Sequence, residues 1–240
     1  MISQRSARLE LEQERIRTEY RRREAEVPAD RYSPWQPAEN FIIAERKAAA
    51  ALELERLGKF PAAGNPCLEI GYGRLGWLAD LLSWGLLESD LHGIELDGTR
   101  GMIAQQALPH ADLRIGDAAS LPWPDSTFKV IVASTVFSSI LDNEVQEILA
   151  NELVRVLAPG GAIIWYDMFR DNPRNKGIAG IGRSRIGKLF PSLQITTRSV
   201  TLLPPLARLV VPRSKTIASL LSSIPLLRTH LLGILVKDRD

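Results

Sequence analysis

Only one cysteine, Cys67, occurs in the 240 residues, so no disulfide closes within the chain and no cysteine cage holds a metal. That scarcity points to a reducing compartment, the cytoplasm. No apolar run approaches the roughly 20 residues that a membrane-spanning helix needs. The start, Met1-Ile2-Ser3-Gln4-Arg5, is polar and soon densely charged, which does not read as a secretory leader. Internal repeats and low-complexity tracts are lacking, and no cluster of side chains suggests a metal site. Acidic residues are scarce in one region. From Met168 to the end, only Asp171, Asp238 and Asp240 face 13 Lys and Arg. The formal net charge is +2, so the preceding part is net acidic. Such asymmetry either points the C-terminal third at something anionic or makes it a solvated basic surface. The basic residues are scattered and no nucleic-acid-binding module accompanies them, so nucleic acid is not expected as a partner.

What is present is ordinary globular chemistry, with 45% hydrophobic and 24% charged residues. Residues 4–26 are rich in Arg and Glu, and pairs such as Glu19 and Arg23 support an exposed helix. Its apolar stripe is thin, Leu9, Ile16 and Tyr20, which predicts a helix on the surface or against a partner. A proline-rich loop over 27–37 leads to a second helix over 38–57, capped by Gly58. These 58 residues read as an N-terminal helical extension, and 59–240 as the main domain. From Pro66 the pattern becomes strand, glycine loop, helix, repeated. Strands are predicted at 67–70, 91–96, 113–115, 130–134 and 162–166. Helices are predicted at 75–87, 99–107 and 144–157. Alternation of this kind argues for a parallel sheet covered on both faces. In the tail, a helix over 184–190 and a strand over 193–202 precede a Pro-, Leu- and Val-rich stretch, 203–227, and a last strand over 229–237.

The loop Glu69-Ile70-Gly71-Tyr72-Gly73-Arg74-Leu75-Gly76 sits between a strand and a helix, where free backbone N–H groups meet a ligand. Gly71 and Gly73 allow close approach of the backbone. Dinucleotide enzymes share this spacing. Three further motifs sharpen it: Gly93-Ile94-Glu95 ending the second strand, Gly116-Asp117-Ala118-Ala119-Ser120-Leu121-Pro122 after the third, and Leu153-x-Arg155-x-Leu157-x-Pro159-Gly160-Gly161 before the fifth.

Together, over about residues 60–170, these motifs resemble a class I S-adenosylmethionine-dependent methyltransferase, closest to the small-molecule methylators that include ubiquinone-type enzymes. The resemblance implies an α/β, Rossmann-like, doubly wound seven-stranded sheet, mostly parallel with an antiparallel last strand, plus N-terminal helices and a helical insertion before that strand. It implies S-adenosylmethionine as donor and S-adenosylhomocysteine as product. Residue by residue, Glu69 would lie near the amino group of the donor's methionine part, with Gly71, Tyr72 and Gly73 along the loop. Glu95 would bind the ribose and Leu96 the adenine face. Asp117 would hold the adenine amino group with help from the Ala118 backbone, and Ser134 would sit beside the methionine end.

The acceptor is expected beyond the carboxyl ends of the strands. His92 and His110 lie at the opposite ends and read as structural. Phe137, Tyr166 and Arg228 are the acceptor-side candidates, and Asp167 or His230 the candidate base. Phe137 stands where many members carry His, so proximity alone or carbon methylation is the other option. The connection 203–227 is longer than the usual hairpin and mixes leucines with Arg208, Arg213, Lys215 and Arg228. A long connection is often a lid. It predicts a small-molecule acceptor with an apolar and an anionic part: a lipid-linked sugar, a phosphorylated glycan precursor or a prenylated ring. The alternative is that its leucines bury in the core or in a homodimer interface. Membrane contact through the same segment is a weaker expectation, because prolines interrupt any long amphipathic helix. Two other functions remain open: an NAD-dependent oxidoreductase, and a non-catalytic scaffold that binds S-adenosylmethionine.

Overall fold

A computed structural model describes residues 2–28, 30–173 and 175–239. Met1 (part of the polar start) and Arg174 and Asp240 (counted in the tail's charge) lie outside the described residues, as does Ala29. In chain order the strands are β1 (Cys67–Ile70), β2 (Leu91–Glu95), β3 (Asp112–Ile115), β4 (Phe128–Ser134), β5 (Leu157–Met168), β6 (Gln194–Leu202) and β7 (Arg228–Val236). The helices are α1 (Ile2–Glu26), α2 (Pro37–Arg56), α3 (Leu78–Ser83), α4 (Gly98–Ala107), α5 (Asn143–Val156), α6 (Arg183–Leu189), α7 (Pro204–Val210) and α8 (Lys215–Ser222). The strands form one sheet in the order β3-β2-β1-β4-β5-β7-β6. β1 pairs in parallel with β2 and β4, and β7 runs antiparallel to both β5 and β6. This is the seven-stranded architecture that the resemblance implies.

Alternation along each strand feeds two cores. Leu68, Ile70, Ile131, Ala133, Ile163 and Trp165 face α5 and α6, while Cys67, Val130, Val132, Ala162 and Ile164 face α2, α3 and α4. Both faces of the central strands are buried, as parallel strands under helices require. The helix expected at 75–87 starts later, at Leu78. The loop before it is held by positive φ at Gly71, Gly73 and Gly76 and by the Glu69 carboxylate, which accepts the backbone N–H of Trp77 (2.8 Å) and Leu78 (3.0 Å). A Cβ at Gly76 would run into that carboxylate. Gly85, at φ 97, follows the helix end. β5 begins earlier than expected, because the Pro159-Gly160-Gly161 turn is drawn into the sheet, with Leu157 paired to Phe128 across a register shift.

The 203–227 connection folds as α7, α8 and a 3-10 turn at Pro225–Leu227. Its inner side, Ala207, Val211 and Ala218, packs on Leu202 and on Ala38 and Ile42 of α2. Among the described residues no helix is long and apolar enough to cross a membrane.

Candidate active site

Brought together at the carboxyl ends of β1 to β4 is a partly open cavity. Gly71, Glu95, Leu96, Gly116, Asp117 and Ala118 line its floor. Gly71 has φ 65 and donates its N–H to the Ile94 carbonyl at 2.8 Å. A Cβ there would meet Val136 Cγ2 at 2.8 Å, so glycine is required by both backbone and space. Glu95 is 3% exposed, and its two oxygens accept the N–H groups of Gly73 (2.7 Å) and Asp97 (2.9 Å). Burial pushes its carboxyl above the ordinary range, while those amides pull it back. Asp117 accepts the Ala119 N–H at 2.9 Å with one oxygen. Two carboxylates thus stand at the ends of adjacent strands, each aimed by backbone amides. The far wall is apolar, made of Val136 and Ile140 from the turn after β4 and Val145 and Leu149 from α5.

The roof is α1. Leu9, Glu12, Gln13, Ile16 and Tyr20, one face at helical spacing, line the cavity from above. Gln13 Nε2 donates to Asp117 Oδ2 at 2.8 Å. Glu12 accepts the Leu141 N–H at 2.6 Å and pairs with Arg15 at 2.7 Å. Burial acts to raise the Glu12 pKa, yet Arg15 and the Leu141 amide together hold it below its ordinary value. Arg15 also donates to the carbonyls of Ser139 and Gly177. Arg8 pairs with Asp142 (3.2 Å) and Glu144 (3.1 Å). At the other end Arg100 lies over the Tyr20 ring at 4.3 Å and pairs with Glu24 at 3.2 Å. Burial first, then the Glu95 charge, push the Tyr20 phenol upward. The helix expected on the surface or against a partner lies instead over the chain's own cavity. Its thin stripe of Leu9, Ile16 and Tyr20 covers this cavity.

The profile described as a methyltransferase domain matches residues 68–165, the segment that builds the cavity floor. That match takes in less than half of the chain and makes this segment similar to methyltransferase domains. A probable S-adenosylmethionine-dependent methyltransferase from Mycolicibacterium smegmatis is 32% identical over 120 residues, which cover 47% of this chain and 44% of the relative. The chain thus spans less than half of that relative. A putative sarcosine dimethylglycine methyltransferase from Galdieria sulphuraria shares the fold at TM-score 0.60 and 15% identity, over 80% of this chain and 85% of that one. A geranyl diphosphate methyltransferase in complex with its donor does so at 0.58 and 16%, over 81% and 85%.

The fold places several predicted residues away from the cavity. The Tyr72 side chain runs under β2, its ring against Gly93 and its hydroxyl donating to the Arg114 carbonyl at 3.2 Å; it is core, not a donor contact. Gly73 shapes the loop and reaches the cavity through Glu95. Glu69 is 1% exposed and caps the start of α3, with burial pushing its carboxyl up to about 8 against the pull of the Trp77 amide and Arg46. Ser134 ends β4 beside Thr135, whose φ of 55 is a left-handed conformation that β-branched residues rarely adopt. Phe137 is fully buried, with its ring 4.6 Å from Trp165, so it packs the core and does not face an acceptor.

Neither base candidate lines the cavity. Asp167 is buried beneath the turn after β4, accepting the N–H of Ser138 (3.0 Å) and of Met168 (2.8 Å). Burial pushes it up to about 6. Its geometry is that of a group that positions the Phe137–Ser139 turn. His230 stacks on Tyr166, ring centroids 4.7 Å apart, and its Nδ1 meets the Thr229 hydroxyl at 2.9 Å. Burial, aided by Arg46, lowers it to about 4, so it is neutral near pH 7. The Tyr166 hydroxyl bonds to Thr201 at 2.8 Å under α2. Arg228 donates to the carbonyls of Ser222 (2.6 Å) and Ser199 (3.0 Å), which ties the insertion to β6. No residue of 203–227 lines the cavity, so α1 and not this connection is its cover. As site residues, Gln13, Glu12 and Tyr20 of α1 went unassigned in the sequence, as did Val136. Among the described residues no cluster suited to a metal is present.

Proposed function

We propose that the chain is an enzyme that transfers a methyl group from S-adenosylmethionine to a small-molecule acceptor. The observation that carries this is the pair Glu95 and Asp117 at the ends of adjacent strands, flanking Gly71 in one covered cavity. Glu95 holds both ribose hydroxyls, its remaining lone pairs facing the cavity while Gly73 and Asp97 fix its plane. Asp117 and the Ala118 backbone hold the adenine edge, with Leu96 and the apolar wall against the ring. Gly71 lets the loop approach the methionine part, and Glu69 keeps that loop in shape from beneath. When bound, the donor supplies a methyl group on a sulfonium, already activated for displacement. What the chain contributes is alignment and exclusion of water, both served by the α1 roof. The titratable groups at the cavity (Glu12, Tyr20, Glu95 and Asp117) are all engaged in contacts that hold the site, and alignment fits this better than a dedicated base.

We further propose that α1 of the N-terminal extension 1–58 acts as cover for the 59–240 unit, and that the acceptor combines an apolar and an anionic part, as in a lipid-linked or glycan intermediate. Support comes from the basic tail and from the structural neighbour named for geranyl diphosphate, which has both parts. Titration calorimetry with S-adenosylhomocysteine tests the donor assignment. Glu95→Ala should lose about 10- to 100-fold in affinity, the size expected for hydrogen bonds to a charged group. Tight binding of NAD with none of S-adenosylhomocysteine would overturn the reading. Methyl transfer to polyprenyl phosphates but not to their neutral alcohols tests the acceptor class.

A further inference from the structure

From Asn172 to Lys237 the chain carries eleven Lys and Arg and no Asp or Glu. Part of this segment is the α7–α8 link, whose inner side packs on α2. Its outer side is apolar. Leu209 is 57% exposed, Ile217 53%, Leu220 65%, Ile224 44% and Leu226 72%. Ile217, Leu220 and Ile224 follow at spacings of three and four, which lines them along one side of α8 and its exit. Arg213 and Lys215 are exposed at the start of α8. The other two cations of the link face inward, Arg208 to Glu39 at 2.7 Å and Arg228 to backbone carbonyls. The surface that remains combines large exposed apolar side chains with two exposed cations, of which Arg213 donates to the Leu209 carbonyl, and has no carboxylate of its own segment beside them.

We propose that this link is a docking surface for a bilayer that contains anionic lipid. An interface of that kind offers acyl chains and phosphates in one plane, matching leucines and cations on one short element. A second copy of the chain fits less well. A two-fold contact through this patch would set Arg213 and Lys215 near their own copies, with no carboxylate in the link to relieve the repulsion. The link joins the end of β6 to the start of β7, at the same edge of the sheet as the cavity, so a docked molecule turns that edge toward the membrane. The docking does not depend on the methyl-transfer reading, although delivery of a lipid-linked acceptor would.

The test is co-sedimentation of the full chain with phosphatidylcholine vesicles, with and without phosphatidylglycerol. Binding is expected only with phosphatidylglycerol, and weakens at least about tenfold between low salt and about 0.5 M salt, where the Debye length is short. Two variants should each lose about tenfold or more in vesicle affinity while binding S-adenosylhomocysteine as the parent does: Ile217→Ser with Leu220→Ser, and Arg213→Gln with Lys215→Gln. All four positions are exposed, so the fold is retained, and the S-adenosylhomocysteine titration and melting curve check it. Equal binding to neutral vesicles, absence of binding at low salt, or variants that bind like the parent would overturn the proposal. So would a dimer, seen by sedimentation, that the Ile217→Ser, Leu220→Ser variant abolishes, because the surface would then be a self-association face. Loss of S-adenosylhomocysteine binding in the parent would instead sink the methyl-transfer reading and leave the docking result standing.

Discussion

α1 and α2 are consecutive helices, α1 over the cavity at the carboxyl edge of the sheet and α2 on the face beside β6 and β7, and they are held by opposite chemistry. α2 buries Ala38, Ile42, Ala49, Ala50 and Leu54. α1 buries Ile16 and Glu12 and is otherwise fastened by Arg8, Arg15, Gln13 and Arg100 contacts. Apolar burial contributes about 25 cal/mol per Å² and has no substitute in water. Exposed ion pairs contribute roughly 0–1 kcal/mol each and exchange readily with solvent. The lesson is one of division of labour: α2 is part of the core, while α1 is a cover fastened largely by polar contacts that water can replace.

The largest expected effect tests that difference directly. Leu54→Ala removes a fully buried side chain from α2 and should destabilise the whole domain by about 2–5 kcal/mol in chemical denaturation. Arg8→Ala, which breaks the exposed pairs to Asp142 and Glu144, should change global stability by no more than about 2 kcal/mol. Reversal of that order would break the comparison.

Next in size is a pH effect under α2. His230 has a folded pKa of about 4 against 6.5 when exposed, so between these values the unfolded chain binds more protons. Its contribution, about 3 kcal/mol, is therefore present above pH 6.5 and is lost as pH falls toward 4. Asp167 and Glu69 act in the opposite sense, since both are raised and their folded forms bind more protons below about pH 6 and 8. Comparing His230→Phe with the parent at each pH isolates the imidazole. The variant keeps the ring stack on Tyr166 and should lose less stability between pH 6.5 and 4. Parallel curves for the two proteins would show that His230 is not buried in neutral form.

Deleting residues 2–26 sharpens the other half of the comparison. The truncated chain should still melt cooperatively, yet release S-adenosylhomocysteine about tenfold faster or more in stopped flow, equal to about 1.4 kcal/mol. Collapse of the fold would make α1 core after all. The smallest effect is Gln13→Ala, which removes one hydrogen bond to Asp117 and should shift donor affinity by about 0.5–1.5 kcal/mol, read by calorimetry.

Strand–glycine–helix alternation makes the sheet legible in the sequence, because each strand is a short apolar run and each connection carries its own turn signal. Gly71, Glu95 and Asp117 are legible for the same reason: a strand end fixes where a residue sits. Direction is harder to read. Tyr72 and Phe137 stand beside site residues but turn into the core, since backbone torsion in a glycine loop or a 3-10 turn decides which way a side chain leaves. α1 is legible as a helix, but a stripe as thin as Leu9, Ile16 and Tyr20 states only that something is packed there, not what. The late start of α3 follows from Glu69 reaching across eight residues to the Trp77 amide, a tertiary contact that no local propensity contains.

Cys67 gives the molecule a built-in clock. It is the chain's only thiol, fully buried in β1 between Leu91 of β2 and Val130 of β4, with its pKa pushed up to about 12 by burial. A thiol reagent reacts with it only after the middle of the sheet opens, so the labelling rate times global opening. A cysteine introduced alone in α1 or in α8 would react on its own schedule, and the two rates, read in one tube against the silent native thiol, would separate lifting of the cover from unfolding of the protein.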